Sequence, residues 1–569
     1  MATTSSSSRS TFAIAAVGVA LVGAIARLLV YARGLSLWND EAMVALNIGR
    51  RGFGALLTPL AYDQAAPVLY LWAAHIATVL GGVNEYTLRL PAFVAGVLLP
   101  FGIWFVGRRI VGEPAAMAAT ALAALSPTLI DYSNQVKPYS SDALVALLVI
   151  WLAWRVRETP TSRSAWTTLA LGGVVAVLMS YTAVFVLLAC GVFLIGSPGL
   201  IRAAGWRMPF AAAATWAVGT GAIYLLFMRA AAGSPYLHMF WGNAFLTPQA
   251  GSVTMRIYLA VRAFMGALPI PTDLLRPRLL LPIFLLGVVA LWRTRDWAVA
   301  ALCVTALLAV CVASMANRYP VATRLLLFAA PFTCLIVGSA IAFALSPLER
   351  RWRGATAIVA LLVPVALMNS RLTRYWRIQA TTEGKGAVAA IMSARGTEPV
   401  YVAPAAVPLW TFYSTNWSRP DTRYLDSVSH LATSGGISFA GGPSRGRPVQ
   451  AEEGRALTFR RDGVTDLIGV RTGNAYFAGA DLRGAVPDSG WAQEEAARML
   501  ATCGSHVWIV SAVRVRGETE PLLRALRSAG ARLVYRFDEL AASAVRVALP
   551  APAAPQCAAP VVARGVASR

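Results

Sequence analysis

The chain has 569 residues, 57% of them hydrophobic and only 14% charged. A wholly soluble protein of this size needs far more charged surface, so the composition calls for several membrane spans. The net charge of +23 is scattered between apolar segments instead of packed along one face. That argues against nucleic acid as a partner and fits basic loops that set topology and meet anionic lipid heads.

Acidic residues divide the chain. Eleven of the 27 Asp and Glu precede residue 370, and the other sixteen fall in Arg371–Arg569. The expectation is a polytopic α-helical membrane region, residues 1–369, followed by a globular C-terminal α/β domain, residues 370–569.

Met1–Ser10 is a short polar tail, and Thr11–Val30 is an apolar run of 20 residues, long enough to span. No small-residue cleavage pattern follows it, so it reads as an uncleaved first span with its N-terminus in the cytoplasm. The next stretch, Leu35–Tyr70, holds Asn39-Asp40-Glu41, Asp63-Gln64 and Pro67. Two adjacent carboxylates beside a span need a reason, because charge near hydrocarbon is costly.

Pro67–Leu80 is apolar as well, but charge placement argues against a span. If it crossed, Arg108-Arg109 and Arg155/Arg157 would face outside; if it lies in the outer interface, both basic clusters are cytoplasmic. On that register the spans are Leu88–Val106, Ala115–Ile130, Leu144–Trp154, two short ones in Trp166–Gly196 around Ser180-Tyr181, Pro209–Phe227, Leu279–Trp292, Trp297–Met315, Leu325–Leu345 and Ala355–Met368. With the first, they make eleven. Arg229–Arg278 becomes a long outer loop, and the C-terminal domain lies outside.

In that domain Pro399–Ala403, Val507–Val513, Arg532–Phe537 and Ala544–Leu549 read as strands, and Glu520–Ser528 as a helix ended by Gly530. The alternation predicts a parallel, Rossmann-like sheet, without a GxGxxG phosphate fingerprint. Ser434–Arg447 is Gly/Ser-rich and reads as a flexible loop. Cys190, Cys303, Cys311 and Cys334 lie in spans as packing residues, whereas Cys503 and Cys557 are expected to form a disulfide if their domain is extracytoplasmic.

On this topology seven acids before residue 370 lie outside: Asp40, Glu41, Asp63, Glu85, Asp131, Asp142 and Asp273. The four cytoplasmic ones, Glu113, Glu158, Asp296 and Glu349, sit beside basic clusters as ordinary loop residues. A purely structural role remains open for two of the outer acids: Asp40 as the N-cap of a helix over Glu41–Arg50, and Asp142 as a cap at a span start. No HxxxH or CxxC spacing supports a divalent metal, since His75 and His238 are isolated, and metal content stays open.

Leu37-Trp38-Asn39-Asp40-Glu41-Ala42 after a first span resembles the Asp-Glu motif of the protein O-mannosyltransferase and aminoarabinose-transferase type, the GT-C membrane glycosyltransferases. Ala66-Pro67-Val68-Leu69-Tyr70-Leu71-Trp72 is similar to their Pro-Pro-Leu-Tyr-Tyr segment, and Arg89-Leu90-Pro91 follows. Ser126-Pro127 and then Asn134-Gln135-Val136-Lys137-Pro138-Tyr139 look like a pattern usually written with Arg-Pro-Tyr, and Tyr319-Pro320 with Arg324 fits a later outer loop. The motifs run in matching order over Ser36–Arg324. The resemblance makes Pro67–Leu80 a juxtamembrane helix and implies transfer of a sugar from a polyprenyl-phosphate carrier to an acceptor hydroxyl at the outer face, with inversion.

In that chemistry a carboxylate takes the hydroxyl proton, and cations neutralise the departing phosphate. Asp40 is the candidate base, and Glu41 orients it or touches the acceptor. Lys137 and Arg324, then Arg89 and Arg318, are the candidate phosphate ligands, with Tyr139 holding Lys137 near the membrane surface; Arg318 and Arg324 also fit as snorkelling anchors. Two positions depart from the pattern. Gln64 stands where a second acid precedes Pro-Pro, so that either Gln64 replaces that acid or Asp63 shifts to serve, and Lys137 stands where Arg is commoner. The implied partners are the lipid-linked donor, membrane lipids, and a glycan, lipid or protein acceptor of the cell envelope, in a bacterial inner membrane. A transporter or flippase, or an idle assembly protein with the same fold, is the alternative.

Overall fold

The structure, a computed structural model, describes residues 4–234, 237–238, 241–246, 252, 254–255, 258, 277–349, 352–372, 384–403, 406–433, 458–461, 464–468, 489–501, 504–512, 519–539 and 542–550. Asp273, most of the loop Arg229–Arg278, the segment Ser434–Arg447, and Cys503 and Cys557 with their expected disulfide lie outside the described residues.

The membrane part is a bundle of α1 (Thr4–Ala32), α2 (Asn39–Arg50), α3 (Val68–Gly81), α4 (Glu85–Ile110), α5 (Glu113–Leu125), α6 (Pro127–Tyr132), α7 (Tyr139–Glu158), α8 (Arg163–Met179), α9 (Ala183–Gly196), α10 (Leu200–Ala204), α11 (Arg207–Ile223), α12 (Pro277–Thr294), α13 (Trp297–Met315), α14 (Ala330–Glu349) and α15 (Arg353–Leu372). Among the described residues six helical stretches are long and apolar enough to cross a bilayer: Thr11–Ala32, Glu85–Ile110, Tyr139–Glu158, Arg207–Ala232, Trp297–Met315 and Arg324–Glu349. The expected eleven also counts shorter apolar helices, among them α5, α8 and α9. Val68–Gly81 is a 14-residue helix at the position expected for Pro67–Leu80, and Ser180–Thr182 separates α8 from α9 where Ser180-Tyr181 marked a turn.

One expected span is broken. Ala115–Ile130 splits into α5 and α6 at Ser126-Pro127, where Ser126 caps α6 by accepting from the Leu129 N–H at 3.2 Å. Pro127 has no N–H for the carbonyl of Ala123, four residues back. A side chain from α1 supplies the donors. Arg27 is fully buried, and its guanidinium donates to the Ala123, Ala124 and Gly23 carbonyls at 2.9 Å each. Gly23 lets α1 come this close, since a Cβ there would stand 2.5 Å from the Ala124 oxygen.

The C-terminal part contains α16 (Gly384–Ala394), β1 (Val400–Val402), α17 (Val407–Ser414), α18 (Thr422–Thr433), β2 (Thr458–Arg461), β3 (Val464–Ile468), α19 (Ser489–Leu500), β4 (His506–Ser511), α20 (Thr519–Ser528), β5 (Arg532–Glu539) and β6 (Ala542–Ala548). The sheet order is β2-β3-β1-β4-β6-β5. The expected parallel sheet is mixed: β3, β1 and β4 run parallel, while β2, β6 and β5 pair antiparallel. The physical reason is connection length. Two residues join β5 to β6, enough for a hairpin and far too few for a parallel crossover.

The two parts share one apolar cluster. Leu37, Leu46, Ile48 and Tyr70 from the first outer segment are buried together with Tyr401, Trp410 and Phe412 from the sheet domain. At Gly49 a Cβ would lie 2.8 Å from the Trp417 ring, so the bare backbone of α2 is what lets the domain dock.

Candidate active site

The site is assembled from the first turn of α2, the 3-10 turn Ala61–Asp63 with Gln64, the loop between α6 and α7, and Arg324. Its organiser is Glu41. This side chain is 1% exposed, and both carboxylate oxygens are engaged. Oε1 accepts from Arg89 Nε at 3.1 Å and from the Val136 N–H at 2.6 Å; Oε2 accepts from Arg89 Nη2 at 2.9 Å and from the Trp38 N–H at 3.2 Å. The Trp38 bond is half of a capping box, which fixes the start of α2. The Val136 bond pulls in the α6–α7 loop. Because Asp40 adjoins Glu41 and Lys137 adjoins Val136, that one bond brings Asp40 and Lys137 together.

Asp40 is the second residue of α2, whose N-cap is Trp38, so the N-cap role considered for it does not hold. Its carboxylate is half-buried and lies between two cations: Oδ1 is 2.9 Å from Lys137 Nζ, and Oδ2 is 3.2 Å from Arg324 Nη1. Lys137 is buried and also donates to Gln64 Oε1 at 2.8 Å. Arg324 sits between two indoles, with Cζ 5.4 Å from the Trp38 ring and 5.1 Å from the Trp241 ring. Burial works against the charge on Asp40, but Lys137 and Arg324 outweigh it and hold the carboxyl below the ordinary range. Burial pulls Lys137 below the usual lysine range, against the attraction of Asp40.

These groups line a cavity of about 260 Å³, together with Asn39, Asp63, Tyr139 and Trp241. A second cavity of about 170 Å³ shares Asp63, Gln64, Ala65 and Leu237 with it and runs on between apolar side chains such as Leu56, Leu71, Leu226 and Phe227. A polar chamber thus opens beside an apolar groove.

Six of the expected site residues meet at the chamber: Asp40, Asp63, Gln64, Lys137, Tyr139 and Arg324. Three lie elsewhere. Glu41 faces the protein interior, so contact with the acceptor does not fit its position. Arg89 is buried behind the site, where it pairs with Glu41 and donates to the Leu35 and Ser36 carbonyls, which leaves it no role as a phosphate ligand. Arg318 is exposed and does not line the chamber. Asp142 stands in the first turn of α7 after the N-cap Pro138, so it is not a cap.

Sequence reasoning passed over Asn47. Its side chain donates to Ala61 O at 3.2 Å and accepts from Ala61 N at 2.9 Å. That clamp holds a turn in which Tyr62 and Asp63, neither of them glycine, adopt left-handed φ of 63° and 51°. The signal was an amide on the buried face of an apolar helix, which must find partners. Trp38 and Trp241 were missed as walls because nothing in the chain marks which indoles flank an arginine. Among the described residues no group of three His, Cys, Asp or Glu is gathered as a metal site. His75 contacts the Ile48 carbonyl at 3.1 Å and His238 the Ala232 carbonyl at 3.0 Å.

The family described as dolichyl-phosphate-mannose-protein mannosyltransferase matches residues 65–228, a segment that carries Gln64's neighbours, Arg89, Lys137 and Tyr139. The whole fold is similar to the crystal structure of ArnT from Cupriavidus metallidurans bound to undecaprenyl phosphate, with a TM-score of 0.53 at 13% identity over 94% of this chain and 97% of that one. The chain shares its fold with that ArnT. The apo state of the same ArnT gives a TM-score of 0.51 at 14% identity, covering 94% of this chain and 98% of that one. No curated protein sequence matches this chain.

Proposed function

We propose that the protein transfers a sugar from a polyprenyl-phosphate carrier to an acceptor hydroxyl at the outer face of the plasma membrane, with inversion, and that Asp40 is the general base. One observation carries the reading: a carboxylate held between Lys137 and Arg324 on the wall of a chamber that adjoins an apolar groove. The carboxylate takes the hydroxyl proton as the acceptor oxygen bonds to the anomeric carbon. The C–O bond to phosphate breaks, and the electron pair leaves with the phosphate oxygen. Lys137 and Arg324 meet the charge that grows there. Glu41 and Arg89 position these groups from behind, and Asp63, Gln64 and Tyr139 shape the chamber. The ArnT that shares the fold is bound to undecaprenyl phosphate, which supports the donor class.

The topology rests on the two ends of the same helices. α4 begins at Glu85 beside the site and ends at Arg108-Arg109; α7 begins at Tyr139 and ends at Arg155 and Arg157. At about 1.5 Å per residue, each separates site from basic cluster by a bilayer's thickness. With the basic ends cytoplasmic, the chamber and the sheet domain are outside, the N-terminus is inside, and the spans number eleven.

The test is transfer from a radiolabelled polyprenyl-phosphate sugar to membranes of a deletion strain by purified protein. Asp40→Asn should lower the rate by about 10²–10⁴-fold. Wild-type rates in Asp40→Asn would remove Asp40 as base.

A further inference from the structure

Asp40 occupies both cations that the reaction needs. Lys137 Nζ lies 2.9 Å and Arg324 Nη1 3.2 Å from opposite oxygens of its carboxylate. The two cations are themselves fixed: Lys137 is buried and held by Gln64, and Arg324 is held between Trp38 and Trp241. The N–H groups that face the chamber from these cations are shared between the carboxylate and an arriving phosphate, and the two anions compete for them. A carboxylate locked between two cations is in turn a poor base, because its lone pairs face N–H groups and not a hydroxyl.

Resting on the proposed function, we infer that the carrier phosphate displaces the Asp40 carboxylate from Lys137 and Arg324, so that donor binding itself frees the base and must precede activation of the acceptor. The charges support this order. Among the described residues the chamber wall carries Lys137 and Arg324 against Asp40 and Asp63, two charges of each sign. A phosphodiester anion takes over the cations and tips the chamber negative, the condition in which a carboxylate gains affinity for a proton. In the transfer step Asp40 accepts the hydroxyl proton and loses its charge, while the departing phosphate gains one on its oxygen. The chamber ends with the charge it had once the donor was bound. Without donor, Asp40 stays locked and cannot activate water or a stray hydroxyl.

The test is binding of undecaprenyl phosphate to the full-length purified protein in detergent by titration calorimetry, with neutral undecaprenol as the control for the lipid tail. Exchange predicts that Asp40→Asn, which removes the competing anion, binds undecaprenyl phosphate about tenfold tighter than wild type while transfer is lost. Asp63→Asn, which removes a charge of the same sign from the same wall but leaves Asp40 on both cations, should tighten binding distinctly less. Unchanged or weaker binding by Asp40→Asn would overturn the exchange, as would equal tightening by Asp63→Asn, which would assign the effect to net charge alone. If Asp40→Asn does not purify as a monodisperse protein, Asp40→Ser removes the same charge and is read on the same scale. A different result sinks the underlying reading: Lys137→Met and Arg324→Met that both bind as wild type does, or undecaprenol that binds as tightly as undecaprenyl phosphate.

Discussion

Asp40 and Glu41 are neighbours in sequence with opposite surroundings, and the direction in which each side chain points separates chemistry from support. Glu41→Gln would leave the buried Arg89 guanidinium without a counter-charge, at a cost of about 3–5 kcal/mol. The expected outcome is a large fall in melting temperature in detergent, larger than that of Asp40→Asn, whose carboxylate is half-buried and whose partner Arg324 is more exposed than Arg89. The acid limb of the pH profile offers a second check on Asp40. Facing it are Lys137 and Arg324, with Gln64, Asp63 and Tyr139 on the same wall. The cations depress its pKa in the empty site, so kcat/KM, which reports the free protein, should hold down to below about pH 4, the ordinary Asp value. Once donor has taken the cations that depression is relieved, and the limb of kcat should lie at higher pH. The sign for stability is the same: a depressed carboxylate contributes above its unfolded pKa and loses that contribution as pH falls through the folded one. Asp40 stood out in the sequence because acids are scarce in this part of the chain, and the motif resemblance pointed to Lys137 and Arg324. The sequence did not disclose that Arg89 belongs to Glu41, since 48 residues separate them and nothing local records the pairing.

Among the elements, the break between α5 and α6 shows how a helix end is made inside a membrane. Ser126-Pro127 stops one helix and caps the next, and Arg27 satisfies the carbonyls that Pro127 leaves open. Lys137 hangs from the chain a few residues after that corner. Arg27→Met would strip donors from buried carbonyls, each at about 1–3 kcal/mol, and is expected to lower both stability and transfer rate. Asn47→Ala releases the Ala61 clamp and with it the left-handed turn through Asp63. That variant should raise KM for the donor more than it lowers kcat, measured on the lipid-linked sugar. Hydropathy located the six long apolar helices but counted Ala115–Ile130 as a single span. An apolar window cannot see a corner when Pro127 and the arginine that repairs it lie on different helices. In the sheet domain the strands at Val400, His506, Arg532 and Ala542 were readable from β-branched runs. The short pair β2 and β3 was not, and the direction of pairing was decided by loop lengths more than by composition.

Across the whole molecule, the sheet domain and the segment bearing Asp40 are joined by polar contacts as well as by their shared core. Tyr413 Oη accepts from the Leu37 N–H at 2.7 Å and donates to Glu85 at 3.2 Å; Lys385 Nζ is 2.8 Å from the same Glu85 carboxylate. Arg50 and Asp426 pair at 2.6 Å at the other end of α2. Tyr413→Phe removes an acceptor from a backbone N–H two residues before the α2 start, and the expected loss is about 1–3 kcal/mol in stability. The accompanying drop in kcat should be partial, because the chamber residues themselves are untouched. A sequence boundary near residue 370 was legible from the distribution of acids, yet the apolar cluster crosses it: Leu46 and Trp410 lie in the same buried set.

The bond between Leu37 and Tyr413 joins residues 376 positions apart. During synthesis at about 5–20 residues per second, the segment bearing Asp40 would wait roughly 20–75 s for its docking surface to be made. Until then α2 lacks the part of its core that Trp410 and Phe412 supply, and the Leu37 N–H lacks its Tyr413 acceptor. The start of α2 would gain its full set of contacts only after the sheet domain has been made and folded.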